Sequence, residues 1–158
     1  KEYNNRWYLI AGACDTGKLL TFPLDRIDDF TPTLFAKYRE PIEDINEHYE
    51  EIIGVTFDED APLQEIIFWI SDKSKDYVIT KPIHGSQKTL KREKDSYLRR
   101  VYPKLKNGKF FQIECRENYE LIRELISFGP ELLVLSPINI KNQILKNLDG
   151  LLQRYKSL

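Results

Sequence analysis

Arg6-Trp7-Tyr8-Leu9-Ile10, followed downstream by Leu24-Asp25-Arg26-Ile27, places aromatics and lone arginines on two short strand-like segments. A strand alternates its faces, so Trp7, Leu9 and Ala11 point one way while Arg6, Tyr8 and Ile10 point the other. This predicts an apolar face, with Trp7 and Leu9 in the core of a small barrel, and a second face able to hold a polar ligand. Working outward, Asp15-Thr16-Gly17 reads as a turn and Lys18 to Leu24 as the next strand, with Pro23 arguing for an edge or bulge. Asp25 to Phe30 is expected to continue the barrel wall. Three strands cannot close a barrel alone, so further strands are expected upstream of Lys1 or from a partner.

At 158 residues and 41% hydrophobic the chain can bury a real core, as one ordinary domain or two small ones. No apolar run approaches the roughly 18 to 20 residues of a membrane span, and nothing at the N-terminus reads as a signal peptide. Cys14 and Cys115 lack CxxC or Cys/His spacing and are expected as reduced core thiols of a soluble, cytoplasmic protein.

Residues 32 to 62 read as a linker with a short acidic helix around Ile42 to Tyr49, and the domain boundary falls between Thr56 and Pro62. Residues 63 to 158 then read as strand, helix, strand, strand, helix, strand and a long final helix. Glu65 to Ile70 and Phe110 to Cys115 are strands. The helix over 118–128 has Leu121, Ile122, Leu125 and Ile126 at helical spacing, Asn118 as N-cap and Gly129-Pro130 as its stop. Leu132 to Leu135 is the last strand. Ser136-Pro137 then opens a helix carrying a stripe of Ile140, Ile144, Leu148, Leu151, Leu152 and Tyr155. A βαββαβ order is the ferredoxin-like arrangement, with one sheet face covered by two helices and the other left for the final helix or a partner.

Charge is unevenly spread: residues 1 to 60 carry 6 Lys+Arg against 14 Asp+Glu, and residues 61 to 158 carry 18 against 11. The basic stretch includes Lys88, Lys91, Arg92, Arg99 and Arg100, interleaved with Tyr97 and Tyr102, and is a candidate nucleic-acid contact. A subunit interface with the acidic half and a solvated loop remain alternatives for it.

No catalytic constellation emerges: there is no P-loop, dinucleotide-binding glycine pattern, HExxH or nucleophile elbow. The chain is therefore read as no enzyme, with no metal site and no cofactor. His48 is read as a solvated helix residue. His84, beside Gly85, is read as structural or as a ligand contact. Arg6, Tyr8 and Arg26 combine a stacking surface with guanidinium groups, a pairing that suits phosphates and bases, and Lys18 is expected to join them. For Arg26 an ion pair with Asp25 or Asp28 is the alternative; for Tyr8, a half-buried barrel tyrosine.

Trp7-Tyr8-Leu9, then Asp15, Gly17, Phe22 and Leu24 to Ile27, resembles the WYL domain of bacterial transcriptional regulators. His84-Gly85-Ser86-Gln87, Ser127-Phe128-Gly129-Pro130 and Leu135-Ser136-Pro137 look like the C-terminal extension that often follows it. The resemblance implies an α+β chain: a partial Sm-like, SH3-type β-barrel over residues 1–31, truncated at its N-terminus, then the ferredoxin-like extension over 63–158. It implies an effector-sensing and dimerising region that binds nucleic acid or a nucleotide-like effector through Tyr8 and Arg26, in a homodimer whose DNA-binding helix-turn-helix lies upstream. The family often has a further arginine where this chain has Leu19-Leu20-Thr21-Phe22-Pro23. A purely structural assembly module without a ligand is the competing expectation.

Overall fold

A computed structural model describes residues 1–31, 37, 40 and 44–158, apart from the His48 side chain. The expectations for Ile42, for the start of the acidic helix and for the His48 side chain lie outside those residues. The chain is α+β, built on two antiparallel sheets of three and four strands.

The first sheet is an open meander of β1 (Glu2–Tyr3), β2 (Arg6–Gly12) and β3 (Leu19–Pro23). No closed barrel forms among the described residues. Strand β1 was not expected, yet its signal is local: Asn4 and Asn5 stand at φ 50° and 62° between the paired Tyr3 and Arg6. A two-residue hairpin loop of type I′ needs two left-handed residues, and asparagine accepts that conformation readily. Gly17, at φ 73°, closes the β2–β3 turn. Residues 24 to 26 form a 3-10 turn instead of more barrel wall.

The alternation of β2 is as expected, but the assignment of its faces is reversed. The Tyr8 and Ile10 side is half-buried, whereas Trp7 is 62% and Leu9 48% exposed, beside exposed Leu20 and Phe22. The reason is tertiary: the side carrying Tyr8 packs toward Val55, Thr56 and Phe57.

After α1 (Ile45–Glu50), the second sheet comprises β4 (Leu63–Ser71), β5 (Lys88–Thr89), β6 (Gly108–Arg116) and β7 (Leu132–Ser136), in the spatial order β5-β6-β4-β7. Its helices are α2 (Lys75–Thr80), α3 (Arg92–Val101), α4 (Tyr119–Ser127) and α5 (Ile138–Lys156). Strand β4 lies between β6 and β7 and carries a core on each face, so it reads as a continuous apolar run. Ile66, Phe68 and Ile70 enter the main core with Ile113, Leu121, Leu125 and Ile140. Ile67 and Trp69 enter a smaller core with Phe110 and Leu98.

That smaller core corrects the expected layering. Helix α3 lies between β5 and β6, where the sequence was read as two strands in succession, and its Leu98 covers the second sheet face. Helix α5 instead joins the main core through Ile140, with Ile144 packed against it. The rest of its stripe, Leu148, Leu151, Leu152 and Tyr155, is exposed along with Leu145. Pro137 takes the N-cap position of α5, one residue later than expected, and no side chain caps it.

Residues 51 to 61, expected as linker, belong to the second module. Ile52, Ile53 and Val55 are buried, and Ile53 sits in the main core. Arg116 clamps this segment from the end of β6, donating to Glu51 Oε2 at 2.5 Å and to the Ala61 carbonyl at 2.6 Å. Cys115 is a core thiol that burial pushes up to about 11, but Cys14 is exposed in the turn between β2 and β3. No helix among the described residues is long and apolar enough to cross a membrane.

Candidate functional site

A groove of about 380 Å³ opens where the covered face of the first sheet meets residues 55 to 57 and the first turn of α4. Alternation along β2 brings Arg6 and Tyr8 to it, and alternation along β3 brings Leu19, Thr21 and Pro23. Tyr8 and Pro23 are directly paired across the strands. The 3-10 turn after Pro23 brings round Arg26. Three of the five residues expected at a ligand site therefore share one cleft.

Their electrostatics differ from the expected pairing. Arg6, not Arg26, binds Asp25, at 3.2 Å between half-exposed groups. An exposed pair of this kind contributes about 0–1 kcal/mol, so a ligand anion can displace it. Arg26 has no ion pair or hydrogen bond with a described residue, and neither has the Tyr8 hydroxyl.

The far wall supplies residues the sequence reading missed. Glu120 lies in the first turn of α4, only 7% exposed, and its Oε1 accepts a 2.8 Å hydrogen bond from the Thr56 hydroxyl. Its Oε2 is buried and has no hydrogen-bond partner among the described residues. Asn118 builds this wall: its side-chain oxygen caps α4 by accepting from Leu121 N–H at 2.8 Å, while its amide donates to the Ile53 and Thr56 carbonyls, each at 2.8 Å. Gly54, at φ 83°, leaves the space that Glu120 occupies, since a Cβ there would stand 2.5 Å from Glu120 Cγ. Burial first, then the Glu120 and Glu124 carboxylates, pushes the Tyr3 phenol above its ordinary value.

Neither a protein-family model nor a curated protein sequence matches the chain.

Two expected site residues lie elsewhere. Lys18 reaches away from the groove and pairs with Glu59 at 3.2 Å. His84 lines a separate cleft with Tyr49, Glu50, Ile52 and Ser86. Its Nδ1 contacts Ser86 Oγ at 2.7 Å and accepts from the Ser86 N–H at 3.3 Å. Ser86 Oγ donates to the Glu114 carbonyl at 3.0 Å and accepts from its N–H at 2.8 Å, tying the turn to β6. Gln87 completes the clasp, bonding Ile83 N–H and the Val78 carbonyl.

Burial pushes the His84 imidazole below its ordinary 6.5, opposed by its bonds to the Glu50 and Ile52 carbonyls. The folded state thus prefers the neutral ring, while below pH 6.5 the unfolded chain takes up a proton that the fold resists. Stability from this site is present above that pH and declines as pH falls toward the lower folded value. Urea midpoints should therefore drop between pH 7.5 and 5.5, and the drop should shrink in His84→Gln; equal drops in the two proteins would refute this role.

The basic stretch forms a second surface, across the four-stranded sheet from α4. Part of it is engaged internally. Lys88 pairs with Glu114 at 3.3 Å. Arg99 pairs with Asp95 at 2.8 Å, donates to the Gly108 carbonyl at 3.4 Å and lies 5.3 Å over the Phe110 ring. Lys91, Arg92 and Arg100 have no side-chain ion pair with a described residue. No metal-ligand cluster occurs among the described residues.

Proposed function

We propose that this chain is the effector-sensing and dimerisation region of a WYL-type transcriptional regulator, taking nucleic acid or a nucleotide-like effector in the groove of Arg6, Tyr8 and Arg26. The convergence of these three side chains in one cleft carries the reading. On this reading the first sheet is a portion of an Sm-like, SH3-type barrel. The second module is ferredoxin-like, which the antiparallel order β5-β6-β4-β7 favours. The protein acts by population shift and not by bond making: an effector alters regulation only as far as it binds one arrangement of the dimer better.

The chemistry is that of a phosphate held by guanidinium and a base stacked on an aromatic ring. Lys91, Arg92 and Arg100 are the cations available for further phosphate contacts on the second surface. In anisotropy titrations with short single-stranded DNA and RNA, Arg26→Ala should weaken binding about tenfold or more, since a charge-assisted hydrogen bond contributes roughly 1.5–3 kcal/mol. Affinity should fall with salt at a log-log slope of about −0.7 per phosphate. No binding of either strand at low salt would refute the reading.

Assembly without an effector is the second reading. The exposed Leu145, Leu148, Leu152 and Tyr155 of α5 favour it, because their 3-4-3 spacing is that of a coiled-coil seam. Light scattering separates the two: a dimer without nucleotide affinity supports assembly alone.

A further inference from the structure

The groove of Arg6 and Arg26 contains an acceptor that the effector reading leaves without a role. An acidic residue in the first turn of a helix is ordinarily a solvated group that complements the helix dipole. Glu120 is buried instead, seated against Gly54, with Oε1 fixed by Thr56 and Oε2 lacking any donor. Buried acceptors are almost always paired, because an unpaired one forfeits its hydration without return. The opposite wall carries Arg26, a donor with no described partner.

A bare phosphate would satisfy Arg26 and leave Glu120 unpaired; a simple cation would do the reverse. The complementary ligand carries an anion at one end and N–H donors at the other. The cleft, about 380 Å³, lies within the roughly 300–1,000 Å³ typical of small-ligand sites. Among nucleobases, guanine alone offers two adjacent donors, N1–H and the 2-amino group, to an acceptor-only carboxylate. Adenine and cytosine set a ring acceptor beside their amino group, and uracil flanks its single N–H with two carbonyls, so each turns a lone pair toward the carboxylate.

We propose that the groove is selective for a guanine nucleotide, with Glu120 accepting from N1–H and the 2-amino group while Arg6 and Arg26 hold the phosphate and Tyr8 stacks on the base. This rests on the effector reading above. Glu120 Oε2 is closed to solvent in the free chain, so the carboxylate turns toward the groove on binding, presenting Oε2 and the lone pair left on Oε1 after the Thr56 bond.

Isothermal titration calorimetry of the full chain with GMP, IMP and AMP tests it. The same titration uses an oligothymidylate bearing one central guanosine, and its inosine counterpart. GMP, or the guanosine strand, should bind about tenfold or more tighter than its hypoxanthine partner, the usual effect of leaving a site's buried acceptor unpaired. Preference only among the strands assigns the guanine to single-stranded nucleic acid, and preference among the mononucleotides to a free effector. Glu120→Gln should abolish the preference but leave the residual, salt-sensitive binding. Equal affinity for guanine and hypoxanthine, or a preference that survives Glu120→Gln, overturns the proposal while the effector reading stands. If no nucleotide or strand binds, the effector reading itself falls. The guanine-to-hypoxanthine comparison on the unaltered chain decides the matter even if Glu120→Gln fails to fold.

Discussion

Phe68→Ala is expected to lower the stability of the second module by about 3–5 kcal/mol, as loss of a fully buried phenylalanine does elsewhere. Phe68 lies on β4, a strand with neighbours on both sides, and is 0% exposed. Its ring stacks on Phe111, its directly paired neighbour, with centroids 5.8 Å apart and planes at 22°. Truncation removes the transfer free energy of the ring, leaves a cavity bounded by strand backbones that cannot collapse inward, and strips Phe111 of its partner. Since a domain is stable by only about 5–15 kcal/mol, much of the second module's margin would go. Trp7→Ala, despite removing a larger side chain, should change stability by about 0.5 kcal/mol or less, because Trp7 is exposed. Urea unfolding followed by circular dichroism compares the two. A loss for Trp7→Ala as large as that for Phe68→Ala would show that the first sheet's apolar face is covered in solution.

Asn118→Ala should cost about 3–5 kcal/mol and also loosen the groove of Arg6 and Arg26. Two effects add. The lost N-cap of α4 contributes about 1 kcal/mol. The Ile53 and Thr56 carbonyls lose their amide donor at a cost of roughly 1–3 kcal/mol each, near the lower end for Thr56, whose bond is only part-buried. Asn118→Ser separates the terms, because its hydroxyl keeps a cap acceptor without setting an oxygen against the two carbonyls; it should recover about 1 kcal/mol of the loss. The same amide holds residues 53 to 56 against Glu120. If the groove takes a nucleotide as proposed, binding should therefore weaken in both variants, at temperatures where each is still folded. Equal stability of Asn118→Ala and the unaltered chain in urea would refute this account.

Much of this arrangement was legible along the chain. The strand over 65–70, the Asn118 cap and the helix after it were read within a few residues, because period 2, period 3.6 and capping are set by neighbours in sequence. Arg6 and Tyr8 were placed on one face for the same reason. Lys18 did not join Arg6 and Tyr8, since it finds Glu59; His84, read as structural or as a ligand contact, ties down the Ser86 turn in a separate cleft; and the expected core position of Trp7 was reversed. Helix α3 was read only as part of a basic stretch, its single buried Leu98 being too sparse a signal among so many charges.

By itself, then, the sequence determined the local elements, the alternation that pairs Arg6 with Tyr8, and the absence of a recognisable catalytic motif. The tertiary structure alone decided which face of the first sheet is covered, that α3 and not α5 closes the second sheet, and that Glu120 is buried in the wall of a groove that Arg6 and Arg26 also line. The physical reason is the range of the forces involved. Backbone geometry and capping act over a few residues, whereas burial and charge pairing depend on which distant surfaces meet. Glu120 looks in sequence like any acid in a first helical turn; only the approach of Gly54 and Thr56 makes it a buried acceptor.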